Sequence, residues 1–100
     1  MTYNVSVSAR AYNDIDRHVA FLSNVSINAA EKLQGKFISS MKSLEKNALS
    51  YPVLVLNKEN TKYRKLFVPK RYLILYEVED NNIFVDYVVD CRQDYAWLLE

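Results

Sequence analysis

The fold is decided by the stretch Lys62–Tyr95, which reads KYRKLFVPKRYLILYEVEDNNIFVDYVVDCRQDY. Apolar and polar residues alternate along most of it, which is typical of strands with one buried and one exposed face. Two turn segments interrupt the alternation, Pro69-Lys70-Arg71 and Glu79-Asp80-Asn81-Asn82. The second is rich in residues that accept left-handed backbone and hydrogen-bond their own main chain. The pattern predicts three strands in meander order, at about Tyr63–Val68, Tyr72–Val78 and Ile83–Val89.

The N-terminal half predicts a strand followed by two helices. Tyr3–Ser8 alternates cleanly, and Ser8 and Ser26 are suitable caps for helices that begin just after them. The second helix is expected to end at Tyr51-Pro52, because proline disfavours helical backbone in the residue before it. A short turn between the helices predicts an antiparallel hairpin. Gly35 interrupts the second helix at a cost of roughly 1 kcal/mol against alanine, and close approach of the first helix is the expected reason.

Together these elements predict one α+β domain over residues 1–100. Its order is β-α-α-β-β-β(-α), an antiparallel meander sheet with the helical hairpin packed on one face. The optional last helix covers Gln93–Leu99. Val53–Thr61 has no clear period and is interpreted as a loop between helix and sheet.

Composition narrows the class of protein. Half of the 100 residues are hydrophobic, which is typical of a globular domain and not of a disordered chain. No apolar run approaches the ~20 residues of a membrane span, and the N-terminus lacks a secretion signal. The lone cysteine, Cys91, cannot form an internal disulfide. We therefore expect a cytoplasmic protein with no membrane contact. Zinc-type clusters and glycine-rich phosphate loops are absent from the sequence, so no metal and no cofactor are expected.

Charge is unevenly distributed although the net charge is only +1. Residues 58–71 hold six basic side chains against one acid, and residues 72–100 hold seven acids against Arg92. Solvated faces and turns are the ordinary explanation of such runs. The alternative is a localised anion site beside an acidic surface.

Three segments carry a family resemblance: Tyr63-Arg64-Lys65-Leu66, Tyr72-Leu73-Ile74-Leu75-Tyr76-Glu77-Val78 and Asp90-Cys91-Arg92-Gln93-Asp94-Tyr95. They resemble the C-terminal half of the RelE/ParE superfamily, the small toxins of bacterial type II toxin–antitoxin pairs. The resemblance extends back through both helices and covers essentially the whole chain. It implies a growth-inhibiting toxin that a cognate antitoxin neutralises. ParE-like members poison DNA gyrase by binding it, whereas RelE-like members cut messenger RNA on the ribosome.

If the chain is RelE-like, the resemblance implies a metal-independent endoribonuclease with a cationic cleft. Such a reaction needs a base for the 2′-hydroxyl, cations for charge on phosphorus and an acid for the leaving oxygen. The implied catalytic residues are Arg92, Tyr95, Arg71 and Arg64. The implied RNA-binding or target-binding residues are Lys58, Lys62, Lys65 and Lys70.

One departure from the nuclease pattern favours the ParE branch. RelE-like nucleases usually have an arginine entering the third strand, where this chain has Leu73. Their usual histidine or glutamate bases have no obvious counterpart, since His18 lies in a helix far along the sequence from the basic segment. The resemblance thus implies gyrase poisoning first and RNA cleavage second. A third alternative is a chain that binds its antitoxin but has lost toxicity.

Strand parity predicts the antitoxin-binding surface. Ile83, Val85, Tyr87 and Val89 are expected to face the helices. The opposite face is then acidic and apolar, which suits a protein partner better than phosphates. Its predicted antitoxin-binding residues are Leu73, Leu75, Glu77, Phe84, Asp86, Val88 and Asp90. Operator DNA is expected to be contacted only through the antitoxin, because the net charge gives the chain no general affinity for DNA.

Overall fold

The computed structural model describes residues 2–92, which form a helical hairpin and a five-stranded sheet. The elements are β1 (Asn4–Val7), α1 (Ala9–Ser23), α2 (Ile27–Asn47), β2 (Val53–Leu56), β3 (Glu59–Val68), β4 (Tyr72–Glu79) and β5 (Asn82–Asp90). The strand order is β1-β5-β4-β3-β2, with β1 parallel to β5 and the other pairs antiparallel. The α+β class and the meander of β3, β4 and β5 are confirmed. The helix predicted at Gln93–Leu99 lies outside the described residues.

Serine caps fix the starts of both helices, as the sequence predicts. Ser8 Oγ accepts the backbone N–H of Ala11 at 3.0 Å, and Ser26 Oγ accepts that of Ala29 at 3.1 Å. Each bond satisfies one of the donors that a helix leaves unpaired at its first turn. A 3₁₀ turn at Ala48–Ser50 ends α2. Within residues 2–92, neither helix is long and apolar enough to cross a membrane.

The main core lies between the hairpin and one face of the sheet. Phe37 and Leu44 of α2 pack there with Ile74 and Tyr76 of β4, and all four are fully buried. Burial of each such side chain is worth roughly 1.5–3 kcal/mol. The Tyr76 hydroxyl donates to the Ala48 carbonyl at 2.5 Å, so its polar atom is satisfied inside the core. The turn that follows α2 is thereby bonded to the centre of the sheet.

The loop predicted at Val53–Thr61 is wrong. Val53–Leu56 forms the edge strand β2, and β3 begins at Glu59, four residues before the predicted start. Asn57 and Lys58 join the two strands with positive φ angles of 51° and 66°. Two consecutive left-handed residues are what a tight hairpin turn requires, because their twist matches that of the strands. The basic segment therefore begins in a hairpin rather than in a loop.

A β-bulge in β5 reverses part of the predicted facing pattern. Tyr76 of β4 lies opposite Val85 and Leu75 lies opposite Tyr87, so Asp86 is the extra residue. Ile83 and Val85 face the helices as predicted. Beyond the bulge the prediction is wrong: Val88 and Asp90 lie on the helix side, and Tyr87 and Val89 lie on the opposite face. An extra residue in a strand of period two exchanges the two faces for every residue after it.

The face away from the helices carries its own small core. Leu73 and Leu75, predicted as an open antitoxin-binding patch, are only 6% and 0% exposed. They pack against buried residues of the neighbouring strands, namely Leu54 of β2, Tyr63 of β3 and Val89 of β5. Strand β2 contributes Leu54 to this cluster, and the sequence analysis had predicted a loop in place of β2. The prediction that this face is bare is therefore wrong at its centre.

Gly35 does not mark a close approach of the two helices. A Cβ atom built on Gly35 has no heavy atom within 4 Å outside its own helical surroundings, and the residue is exposed. The expected packing reason for this glycine is therefore wrong. Glycine therefore lowers the stability of α2 relative to alanine at this position, and no close contact between the helices requires it.

Candidate functional site

Asp90 organises a cluster of basic side chains at the end of β5. Both oxygens of its carboxylate accept hydrogen bonds from Arg92, with Nη2 at 2.9 Å from Oδ2 and Nε at 3.2 Å from Oδ1. The backbone N–H of Arg92 also donates to Oδ1 at 2.9 Å, and Arg71 Nε lies 3.7 Å from Oδ2. These bonds, led by those from the Arg92 side chain, hold the pKa of Asp90 below its ordinary value. Asp90 is only 6% exposed. Because its pKa is lowered, the carboxylate is charged at neutral pH although it is buried.

A cavity of about 230 Å³ adjoins this cluster. It is lined by Arg17, His18, Phe21, Arg71, Tyr72, Asp90 and Arg92. The His18 ring packs against Tyr72, with ring centroids 4.7 Å apart, and His18 Nε2 lies 3.0 Å from the Val88 carbonyl oxygen. That carbonyl can only accept, so His18 Nε2–H donates this hydrogen bond. The fold therefore brings His18 to Arg71 and Arg92, which the sequence prediction had placed far from it.

Arg64 and Lys65 do not join Arg71 and Arg92. Arg64 Nη1 donates to the Tyr51 carbonyl at 2.6 Å, which ties β3 to the segment after α2. Lys65 is half-buried and lines a separate cavity of about 380 Å³ with Tyr51, Pro52, Phe67 and Leu73. Of the three arginines predicted to be catalytic, only Arg71 and Arg92 therefore lie together, and Lys65 lies apart from both.

The four lysines predicted to bind RNA or a target are also dispersed. Lys58 occupies the β2–β3 turn and is exposed. Lys62 Nζ lies 3.6 Å from Glu77 Oε1 and 5.3 Å from the Tyr63 ring centroid. Lys70 lies in the β3–β4 turn beside Arg71. Lys65 is the fourth, on the opposite face from the Asp90 cluster. Only Lys70 therefore adjoins that cluster.

Two carboxylates lie side by side on the face away from the helices. The pKa of Glu77 is raised, chiefly by a side-chain hydrogen bond with Asp86 and then by burial. The pKa of Tyr63 is also raised, chiefly by burial and then by the negative charge of Asp86. The Arg10 guanidinium lies over the Tyr87 ring, 4.7 Å from its centroid, and hydrogen-bonds its hydroxyl. Of the predicted antitoxin-binding residues, Glu77, Phe84 and Asp86 remain partly exposed on this face.

Cys91 is poorly suited to act as a nucleophile. Cys91 is half-buried, and burial followed by the charge of Asp90 raises the pKa of its thiol. A neutral thiol is a weak nucleophile, so these surroundings do not activate Cys91. Tyr95 lies outside the described residues. Residues 2–92 hold no group of three or more His, Cys, Asp or Glu side chains placed to bind a metal.

The sequence reasoning missed Arg17 and Phe21 and set His18 aside. All three lie on α1 and reach the cavity because Asp14 and His18 fasten that helix to β5 at Val88. The available signal was the spacing Asp14, Arg17, His18 and Phe21, which places four non-aliphatic side chains along one stripe of α1.

Residues 5–95 match the model of the ParE toxin of the type II toxin–antitoxin system parDE. The chain belongs to this toxin family. No curated protein sequence matches the chain.

Solved structures agree on the fold of this toxin-family chain. The chromosomal ParDE toxin–antitoxin system of P. aeruginosa superposes with a TM-score of 0.71 at 16% identity, covering 89% of this chain and 96% of the other. The YoeB dimer of Staphylococcus aureus gives a TM-score of 0.57 at 21% identity, covering 87% and 94%. The DinJ–YafQ toxin–antitoxin complex of E. coli gives 0.57 at 16%, covering 90% and 93%. At these identities the likeness shows the fold alone.

Proposed function

We propose that this chain is the toxin of a type II pair, that it acts by binding DNA gyrase, and that a cognate antitoxin neutralises it. The observation that carries the proposal is the engagement of Arg92 by Asp90. The Arg92 guanidinium donates three hydrogen bonds to the buried Asp90 carboxylate, and the Arg92 backbone N–H donates a fourth. A phosphate brought to the same guanidinium meets the charge of Asp90, and like charges at about 4 Å repel by roughly 1–4 kcal/mol.

The dispersal of the other cations supports the same proposal. Cleavage of RNA needs its base, its acid and its phosphate-binding cations around one scissile bond. Arg64 is held by the Tyr51 carbonyl, and Lys65 lies on the opposite face from Arg71. His18 already hydrogen-bonds the Val88 carbonyl. A toxin that acts by binding gyrase does not need these groups to surround one bond.

We place the antitoxin on the face that carries Glu77, Phe84 and Asp86. The two neighbouring carboxylates favour basic side chains from a partner, and the half-buried Phe84 offers apolar contact. The Asp90 site, on the helix side, is left out of this surface. Contact with operator DNA is assigned to the antitoxin.

The alternative is a RelE-like nuclease that acts on ribosome-bound messenger RNA. The observation in its favour is that Arg71, Arg92 and His18 line one cavity. Primer extension on cellular messages after induction separates the alternatives: our proposal expects no new 5′ ends. New ends that disappear in Arg92→Ala, with antitoxin affinity unchanged, would instead establish the nuclease.

A third alternative, binding of the antitoxin without toxicity, is tested by growth. Expression of the chain without antitoxin is expected to arrest growth, and co-expression of the antitoxin is expected to restore it. Undiminished growth with soluble, folded chain present would support the third alternative and contradict the other two.

A further inference from the structure

A groove between α2 and the β3–β4 turn carries basic side chains on both walls. Lys32 and Lys36, one helical turn apart, line it from α2, and Lys70 and Arg71 line it from the turn. Apolar atoms of Leu22, Leu33 and Tyr72 complete the lining. Its volume is about 610 Å³, and no carboxylate belongs to its lining within residues 2–92.

The lysines of this groove are available to a ligand. Lys32, Lys36 and Lys70 are exposed, and their side chains make no ion pair with any residue between Thr2 and Arg92. By contrast, Lys62 is engaged by Glu77 and Arg17 by Asp14. Unpaired cations that face each other across a concave surface repel, and a bound polyanion relieves that repulsion.

The groove continues into the Asp90 cavity, because Arg71 and Tyr72 line both. Within residues 2–92, the unpaired cations of the two cavities are Lys32, Lys36 and Lys70, whereas Arg71 and Arg92 are engaged by Asp90 and Arg17 by Asp14. Beside them lies Phe21, which is 63% exposed. A path of cations with a solvent-facing aromatic ring is the arrangement that binds single-stranded nucleic acid, since the cations follow the phosphates and the ring stacks on a base.

We propose that this groove binds the phosphate backbone of a single-stranded nucleic acid, with Lys32, Lys36 and Lys70 on phosphates and Phe21 stacked on a base. The site is distinct from the carboxylate-bearing face assigned to the antitoxin. It does not depend on gyrase as the target. An acidic protein segment is the competing occupant, because carboxylates also pair with lysine.

The test is fluorescence anisotropy of the full chain with a labelled oligothymidylate of about 12 nucleotides, a length within the usual range of single-strand sites. The groove variant is Lys32→Gln with Lys36→Gln. The matched control is Lys42→Gln with Lys46→Gln, which removes two exposed lysines at the same spacing from the same helix but beside Glu45. Circular dichroism establishes that both variants fold.

The groove variant is expected to weaken binding at least ~10-fold at about 50 mM salt and to reduce the slope of log K against log salt by roughly 1.4, the value for two phosphate contacts. The control is expected to stay within about 2-fold. Phe21→Ala is expected to weaken binding about 5-fold or more. Equal losses in groove variant and control would overturn the proposal, as would tighter binding of poly-L-glutamate or of a duplex of equal length. Since the assay contains no gyrase, its failure leaves the gyrase proposal untouched.

Discussion

Asp14 of α1 and Val88 of β5 are joined by a buried hydrogen bond, in which Asp14 Oδ2 accepts the Val88 N–H at 3.0 Å. Strand β1 pairs with β5 only as far as Val85, so among residues 2–92 no strand pairs with this edge of β5 beyond Val85. Asp14 and His18, one turn apart on α1, take up the N–H and the carbonyl of Val88 instead. Helix α1 thus replaces the missing strand and fixes the position of Asp90, two residues further on.

Asp14→Ala is expected to destabilise the fold by about 1–3 kcal/mol, because it leaves the buried Val88 N–H without an acceptor. Asp14→Asn keeps an acceptor oxygen and should lose less. Asp16→Ala, an exposed position on the same helix, is the control and should change little. Urea denaturation measures all three. Equal effects of Asp14→Ala and Asp16→Ala would show that the bond to Val88 contributes nothing.

Gly35→Ala is expected to raise the free energy of unfolding by roughly 1 kcal/mol, because alanine has the higher helix propensity and its Cβ meets no neighbour. Gln34→Ala, at the adjacent exposed position, should stay within about 0.5 kcal/mol of the parent chain. Thermal and urea unfolding give both values. A loss of stability in Gly35→Ala would show that a Cβ at this position meets a neighbouring group, contrary to the open space around it.

Asp90 should make stability depend on pH in the acid range. Its pKa is lowered in the folded state, so the unfolded chain binds the proton more readily. The stabilisation is therefore present above the unfolded pKa of about 3.9 and is lost as pH falls through the folded value. Asp90→Asn removes this term, so its loss of stability should be large at pH 7 and should shrink steadily toward pH 2. Denaturation midpoints across that range measure it, and a pH-independent loss would contradict the account.

Asp86→Lys is expected to weaken antitoxin binding at least ~10-fold, since it reverses a charge at the surface assigned to the antitoxin. Calorimetry with purified antitoxin measures this, and Asp16→Lys on exposed α1 serves as control. Asp90→Lys is expected to impair folding instead, because Asp90 is buried on the helix side between Arg71 and Arg92. Unchanged affinity in Asp86→Lys would remove this face from the antitoxin surface.

Sequence alone predicts those parts of the fold that depend on local signals. Ser8 and Ser26 mark the starts of both helices because their side chains cap them. The alternation at Tyr72–Val78 and Ile83–Val89 predicts β4 and β5 to within one residue at each end. Strand β2 was not predicted, because Val53–Leu56 is a continuous apolar run without alternation. The run followed by Asn57-Lys58 was nevertheless a hairpin signal.

The candidate site is harder to predict because it depends on one bulge and on distant contacts. Asp86 lies in an alternating stretch, so the sequence around it does not show that it is the bulged residue. The only local sign of the bulge is the pair Val88-Val89, where the alternation fails. Without the bulge, Asp90 faces the wrong side of the sheet. The meeting of His18 with Arg71 joins a helix to a turn more than fifty residues away, and no local pattern encodes such a contact.

The most direct test of the central claim is the supercoiling of relaxed plasmid by purified gyrase in the presence of the purified chain. We expect inhibition that rises with toxin concentration and that an equimolar amount of antitoxin abolishes. Full supercoiling at every toxin concentration, together with cleavage of messenger RNA when the same preparation is added to a translation reaction, would contradict it.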